Sequence, residues 1–209
     1  EHGVQIGYSG ADLTNPDAIE EMMAYVTTDF GGTDILVNNA GTQFVSPLEE
    51  FPVAKWDLIM ALNLSAAFHT TRMAIGPMKE KGWGRIINTG SAHAKVASPF
   101  KSAYVAAKHG LSGLTKVTAL EGAEHGVRCN LVCPGYVHTP LVDGQIDDTA
   151  KARGMTRDEV VKNVLLAAQP TKEFVTAEQI GGFVAFLCSP DADQINGADL
   201  SMDGGWVAQ

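Results

Sequence analysis

Two side chains that can move or stabilise a proton lie four positions apart in the stretch SAYVAAKHG, residues 102–110: Tyr104 and Lys108. In an α-helix, positions i and i+4 share one face and their side chains are neighbours. A free phenol has a pKa near ~10, and a nearby cation favours the phenolate. The spacing alone is compatible with a tyrosine acid that Lys108 activates and also with an ordinary surface pair.

Composition and charge limit the class of protein. The chain has 209 residues, of which 45% are apolar, and this fits one domain with a hydrophobic core. Fifteen basic against twenty-four acidic residues give a net charge of −9, which argues against nucleic acid or an anionic membrane as a main partner. A run of about 18 apolar residues, which a membrane span needs, is missing, and the first residues do not resemble a signal peptide. A small anionic substrate remains compatible with this charge.

The three cysteines predict a compartment rather than a metal site. Cys129, Cys133 and Cys188 are an odd number and stand in apolar surroundings, which favours buried free thiols in a reducing, cytoplasmic compartment. Cys129 and Cys133 do not have the spacing of a zinc ribbon, and the sequence has no second pair of ligands. We therefore predict no metal site.

The elements that position Tyr104 and Lys108 follow from alternating apolar patterns. Buried strands are predicted over 34–41, 84–91, 127–135 and 198–205, and helices near 16–30, 53–80, 103–124 and 177–188. Asn15 before Pro16, and Thr176 before Gln179, are helix start signals. Strict alternation predicts an α/β fold, a single doubly wound, Rossmann-type parallel sheet with helices on both faces. The polar strand ends at Asn38–Gly41, Ser91 and Pro134–Gly135 would then meet at one ligand-binding edge.

Residues 141–176 interrupt this alternation, because they are far longer than the usual connection of about 2–6 residues. Thr156 with Glu159 forms a second capping-box pattern, so part of the segment is predicted to be helical. Long insertions at a ligand edge are often lids. We expect 141–176 to be a substrate lid within a single domain, with a purely structural appendage as the alternative.

Several motifs in order along nearly the whole chain resemble the short-chain dehydrogenase/reductase family. They are NNAG at 38–41, Asn63 in MALNLSAAF, Ser91 thirteen residues before Tyr104, the Tyr104/Lys108 pair, and PGYVHTP at 134–140. The resemblance implies an oxidoreductase in which Tyr104 is the general acid/base, Lys108 stabilises its phenolate and binds the nicotinamide ribose, and Ser91 stabilises the alkoxide. It implies further that Asn63 holds a water that links Lys108 to solvent.

The resemblance also implies a nicotinamide cofactor, NAD, and the residues that would bind it. Asp12 and Leu13 are expected to bind the adenine end of the cofactor. Tyr104 and Lys108 are expected to bind the nicotinamide end and its ribose. The adenosine ribose is expected above Asn39, Ala40 and Gly41. The nicotinamide carboxamide is expected at Gly135, Val137 and Thr139, with Pro134 beside them in the cofactor-binding set.

Four polar residues beside the reacting position narrow the substrate. His93 and Lys101 flank Ser91 and Tyr104 in the sequence, and together they suggest a site for a carboxylate. Gln43 and Gln145 add amide donors. This set resembles that of bacterial family members that act on D-3-hydroxybutyrate, which implies NAD-linked interconversion of 3-hydroxybutyrate and acetoacetate in ketone body metabolism. Tyr136 departs from the tryptophan usual in that group, so the preferred length of the acid stays open.

Two alternatives remain, and one part of the family pattern is missing. The alternatives are a reductase of 3-oxoacyl thioesters from the same family and a catalytically inactive fragment. The glycine-rich βαβ unit of the family is not found in these residues, and with it the residue that separates NAD from NADP. We expect the 209 residues alone to be poorly folded and inactive, and a longer protein to carry the function.

The apolar face of 53–80 and the C-terminal DGGWVAQ resemble tetramer contacts, so a homotetramer is expected.

Overall fold

The structure is a computed structural model that describes residues 3–208, except for the side chains at 140, 141, 145, 148, 149, 152 and 153. Within it, four parallel strands form one sheet in the order β1-β2-β3-β4. The strands are β1 (Ile35–Asn38), β2 (Gly84–Thr89), β3 (Val127–Pro134) and β4 (Asp199–Met202). All four predicted strands and the α/β class are confirmed.

Seven α-helices connect and cover these strands in the described part of the chain. They are α1 (Pro16–Phe30), α2 (Val53–Met60), α3 (Ala66–Lys81), α4 (Ser102–Gly122), α5 (Pro140–Arg153), α6 (Arg157–Val160) and α7 (Ala177–Leu187). The start signals read from the sequence are confirmed. Asn15 accepts a hydrogen bond from the backbone of Asp17, and Thr176 forms a capping box with Gln179. None of the described helices is both long and apolar enough to cross a membrane.

The core lies on both faces of the sheet, as the alternation of strand side chains requires. Ile86 of β2 faces α1, α3 and α4 and packs with Ile19, Met78 and Cys129. The next residue, Ile87, faces the opposite side and packs with Leu187 of α7. The Rossmann-type arrangement therefore holds for the described residues, with helices covering the sheet from both sides.

The predicted helix over 53–80 is not continuous. A π-helical turn, Ala61–Ser65, separates α2 from α3, and the backbone N–H of Ala66 donates to the carbonyl of Ala61. A π turn widens a helix locally and often stands at functional sites. Here it carries the buried Asn63.

The long segment 141–176 is largely helical, as predicted. Thr156 and Glu159 form the expected capping box at the start of α6, and a π turn (Val161–Leu165) and a short 3-10 helix (Leu166–Ala168) follow. Arg157 pairs with Asp143 and Asp147, which joins α6 to α5 on the surface. A parallel bridge between Val137 and Val175 ties the end of the segment to the chain after β3. That the segment acts as a lid stays a prediction.

Candidate active site

A cavity of about 520 Å³ opens at the carboxyl ends of the strands. The residues that follow β1, β2 and β3 all contribute to it, as the topology predicts. Most of the predicted site residues are brought together here, namely Asn39, Gly41, Gln43, Ser91, His93, Lys101, Tyr104, Lys108, Gly135 and Val137. The cavity therefore gathers side chains that are distant in sequence.

Tyr104 and Lys108 lie on one face of α4, beside the end of β2. The Lys108 ammonium lies 5.6 Å from the centroid of the Tyr104 ring. It donates a hydrogen bond of 2.6 Å to the backbone carbonyl of Thr89, the last residue of β2. The hydroxyl of Ser91, two residues beyond Thr89, lines the same cavity and acts to lower the pKa of Tyr104. Sheet and helix together fix a serine, a tyrosine and a lysine at one point of the cavity.

Burial, rather than the neighbouring lysine, controls the pKa of Tyr104 in this structure. Burial raises the pKa of Tyr104, and the nearby side chain of Ser91 lowers it in part. The expectation that Lys108 lowers the tyrosine pKa is therefore not met in this state, because the loss of phenolate hydration is the larger effect. Burial also lowers the pKa of Lys108 to about 8, and this residue is only 4% exposed. Tyr104 is thus a neutral hydrogen-bond donor at neutral pH.

Lys101 supplies a positive charge to the cavity. Its ammonium lies 5.8 Å from the centroid of the Tyr136 ring and makes no ion pair or hydrogen bond within the described residues. Burial lowers the pKa of Lys101, because partial removal from water disfavours the charged form. A partly desolvated cation is stabilised when an anionic ligand forms a charge-assisted hydrogen bond with it.

His93 contributes hydrogen-bonding atoms but no charge. The residue is 3% exposed, and burial, followed by the charge of Lys101, lowers the pKa of His93 to about 4. Its Nε2 lies 2.9 Å from the hydroxyl of Ser98, and its Nδ1 lies 3.4 Å from the hydroxyl of Ser91. The counter-charge expected of His93 and Lys101 together therefore comes from Lys101.

An aromatic wall closes one side of the cavity. The rings of Tyr136 and Trp206 stack with centroids 5.7 Å apart, and Trp206 meets His93 edge to face at 5.1 Å. The backbone N–H of Tyr136 donates to the fully buried Gln169 at 2.6 Å. Sequence reasoning assigned Trp206 to subunit contacts. Its position just after a strand that ends at the ligand edge is the signal that places it in the site.

Asn63 holds the loop that follows β1. Its amide oxygen accepts from the backbone N–H of Thr42 and its amide nitrogen donates to the carbonyl of Thr42, both at 2.9 Å. A Cβ on Gly41 would lie 3.4 Å from the Asn63 oxygen, so the loop backbone approaches the amide closely. The side chain thereby fixes the backbone of Gly41 and Thr42 at the cavity. The predicted role of Asn63 in holding a water stays a prediction.

The residues at this edge fit a nicotinamide cofactor. A second cavity, of about 240 Å³, adjoins the first and shares Asn39, Thr89 and Lys108 with it. Leu13 and Ala40, which were expected near the adenosine, line this second cavity together with Asn63. The Lys108 ammonium has donors beyond the one used by Thr89 and would hold a ribose hydroxyl.

Four predicted residues lie apart from both cavities or outside the described side chains. Asp12 is exposed and accepts from the backbone and hydroxyl of Thr14 at 2.9 and 2.8 Å. Thr139 caps the start of α5, and Pro134 is the last residue of β3. The side chain of Gln145 lies outside the described residues. Among the side chains that the structure describes, no group of potential metal ligands stands close enough together to hold an ion. The absence of a metal stays a prediction.

Comparison with known proteins defines the class that this fold and site indicate. A family model described as Enoyl-(Acyl carrier protein) reductase matches residues 1–207. The chain belongs to the short-chain dehydrogenase/reductase family, and the family resemblance inferred from the motifs is confirmed. It is an oxidoreductase.

Relatives with curated names lie close to this chain. It is 61% identical over 199 residues to a D-beta-hydroxybutyrate dehydrogenase of Rhizobium meliloti. This alignment covers 95% of this chain and 77% of the relative. It is 53% identical over 207 residues to a protein of the same name from Cupriavidus necator, covering 99% of this chain and 80% of the relative. Among solved structures, a putative gluconate dehydrogenase from Agrobacterium tumefaciens superposes with a TM-score of 0.83 at 33% identity, covering 95% of this chain and 74% of that one.

Proposed function

We propose that this oxidoreductase interconverts D-3-hydroxybutyrate and acetoacetate, with NAD as cofactor. The names of the two relatives at 61% and 53% identity support the substrate. The observation that carries the proposal is the ammonium of Lys101, which has no ion-pair or hydrogen-bond partner among the described residues and shares a cavity with Ser91 and Tyr104. A four-carbon hydroxy acid has a carboxylate that can bind Lys101 and a hydroxyl that can bind Ser91 and Tyr104.

Tyr104 is the general acid/base of the proposed reaction. A bound nicotinamide would supply the hydride-transfer chemistry at the alcohol carbon, and Lys108 would hold its ribose. In reduction, the hydroxyl of Tyr104 gives its proton to the substrate oxygen, and in oxidation the phenolate takes it back. Because burial raises the pKa of Tyr104, the tyrosine holds its proton until the substrate oxygen is in place. Ser91 donates to the same oxygen, where negative charge develops.

Lys101 orients the acid through its carboxylate. The ammonium lies at the Tyr136 wall, so an anion there would contact the aromatic face with its carbon chain. Gln43 lines the same cavity and adds an amide donor, and we extend this role to Gln145 on α5. His93 lines the same cavity as a neutral ring that adds no charge, and its two ring nitrogens face the hydroxyls of Ser91 and Ser98.

The choice of NAD, the compartment and the assembly belong to the same proposal. The cofactor-binding set is the one predicted from the sequence, with Leu13, Ala40 and Gly41 as the members best supported by their positions. We propose a cytoplasmic enzyme, which the free thiols of the three cysteines support. A homotetramer is supported by exposed apolar side chains on α3 and α4, among them Phe68, Val117 and Leu120.

A test of the function compares two substrates. The full-length protein is assayed for NADH formation with D-3-hydroxybutyrate, and for NADH or NADPH consumption with an acetoacetyl thioester. Turnover of the acid with NAD supports the proposal. Turnover of the thioester alone would contradict it and favour the 3-oxoacyl reductase, because a thioester offers no carboxylate to Lys101.

A further inference from the structure

A serine outside the predicted site contacts the site through His93. The hydroxyl of Ser98 lies 2.9 Å from Nε2 of His93, on the irregular loop between β2 and α4. This loop is held at both ends. The Lys95 ammonium donates to the carbonyl of Asp199 and the hydroxyl of Ser201, and the Phe100 carbonyl accepts from Ser46. These hydrogen bonds fix the loop and thereby the position of Ser98 beside His93.

The two ring nitrogens of His93 face two different serines. Nδ1 is directed to the hydroxyl of Ser91, and Nε2 to that of Ser98. A neutral imidazole has one N–H donor and one acceptor, so one serine must accept a hydrogen bond from the ring and the other must donate one to it. The tautomer of His93 decides which serine donates to the ring and which accepts from it. The tautomer therefore also decides where the hydroxyl proton of Ser91 points.

The two tautomers have opposite effects on Ser91. The Ser91 oxygen already accepts the backbone N–H of His93 at 3.2 Å. If Nδ1 carries the ring proton, it also donates to this oxygen, and the Ser91 proton is free for Tyr104 and the reacting oxygen. If Nε2 carries it, the lone pair of Nδ1 competes for the Ser91 proton. The proposed reaction needs the first arrangement.

We propose that Ser98 is a positioning residue that donates its hydroxyl proton to Nε2 of His93 and thereby selects the Nδ1–H tautomer. The hydrogen bonds then run in one direction, from Ser98 to His93, from His93 to Ser91, and from Ser91 to the reacting oxygen. The catalytic part of this inference rests on the proposed function. The tautomer of His93 does not, because it is a property of the protein without substrate.

The first experiment measures the tautomer directly. The full-length protein is labelled with ¹⁵N in its histidine rings, and the His93 signals are assigned by comparison with His93→Gln. We expect a protonated Nδ1 and an unprotonated Nε2 in the wild type and in Ser98→Thr, which keeps the hydroxyl. In Ser98→Ala, signal should shift toward the Nε2–H form. A wild type already in the Nε2–H form, or a Ser98→Ala spectrum unchanged from wild type, would overturn the inference.

The second experiment asks whether Ser98 acts through His93. Ser98→Ala should lower kcat about tenfold, as the loss of one hydrogen bond in the transition state predicts, with the KM for 3-hydroxybutyrate nearly unchanged. Ser98→Thr should restore most of the rate. In a His93→Ala background, Ser98→Ala should have no further effect. A full tenfold loss in that background would refute the positioning role. If the wild type did not act on 3-hydroxybutyrate, the proposed function would fail while the ¹⁵N measurement still decided the tautomer.

Discussion

The Lys108 ammonium lies 5.6 Å above the ring of Tyr104 and is bonded to the Thr89 carbonyl, not to the tyrosine hydroxyl. This relationship separates two roles that the sequence pattern combines. Lys108 places a charge near the phenol, while Ser91, which lines the same cavity, acts to lower the pKa of the phenol. The tyrosine is held as a neutral acid by burial, and this is the protonation state that the reduction of a ketone needs.

Removal of the Tyr104 hydroxyl should abolish proton transfer. Tyr104→Phe is expected to lower kcat by about 10²–10⁴-fold, the usual contribution of a positioned acid or base. The measurement is kcat for NADH formation from D-3-hydroxybutyrate. Tyr136→Phe is the matched control, because it deletes a hydroxyl in the same cavity without touching the proposed proton donor. Equal losses in both variants would argue against the acid/base role of Tyr104.

The buried Lys108 should make stability rise with pH in a defined window. Below pH 8 the lysine is charged in the folded and the unfolded chain, and above 10.5 it is neutral in both. Between these values the unfolded chain binds more protons, so the free energy of unfolding rises with pH, by at most about 1.4 kcal/mol per pH unit. Urea titrations of the wild type and Lys108→Met across this window should show the wild type gaining relative to the variant. A constant or falling difference would contradict the depressed pKa.

Gly126 should tolerate substitution far less than a glycine in the same backbone conformation elsewhere. Gly126 and Gly31 both have positive φ, +72° and +77°. A Cβ on Gly126 would lie 2.1 Å from the Gly82 carbonyl oxygen, whereas one on Gly31 meets nothing within 4 Å. Gly31→Ala should cost about 1 kcal/mol, and Gly126→Ala should cost more than about 3 kcal/mol or prevent folding. Urea unfolding measures both, and similar losses would show that the clash is relieved by a backbone shift.

Local signals in the sequence predict the elements of this fold well. The capping boxes at Thr156 and Thr176 and the Asn15–Pro16 start depend on contacts within three residues, so they can be read without tertiary structure. The carboxyl ends of the strands meet because parallel topology requires it. The π turn around Asn63 was not predictable, since the pattern of 53–80 is helical throughout and the turn coincides with a tertiary contact to Thr42.

The parts of the site that sequence reasoning missed lie on irregular segments. Trp206 reaches the cavity from the C-terminal turn, and Ser98 from the loop before α4, and neither is set by a periodic pattern. The pKa of Tyr104 was expected to fall beside Lys108, but burial is a property of the whole fold and it reverses the sign. Sequence spacing indicates which side chains meet, whereas their protonation depends on how much water the fold removes.

The proposed contact between Lys101 and the carboxylate of the substrate can be tested with two proteins and two substrates. The kinetic constants of the wild type and Lys101→Met are measured with D-3-hydroxybutyrate and with its uncharged methyl ester. Loss of a charge-assisted hydrogen bond of about 1.5–3 kcal/mol predicts a KM for the acid raised about 10- to 100-fold, with kcat nearly unchanged.

The ester and a second lysine complete this measurement. For the ester, the two proteins should differ little, because no carboxylate is present to lose its partner. Lys81→Met removes the same charge from a lysine paired with Asp34 on the surface outside the cavity, and it should leave the KM for the acid within about twofold. If Lys101→Met left the KM for the acid unchanged, or raised it equally for the ester, the carboxylate-anchor account would be wrong.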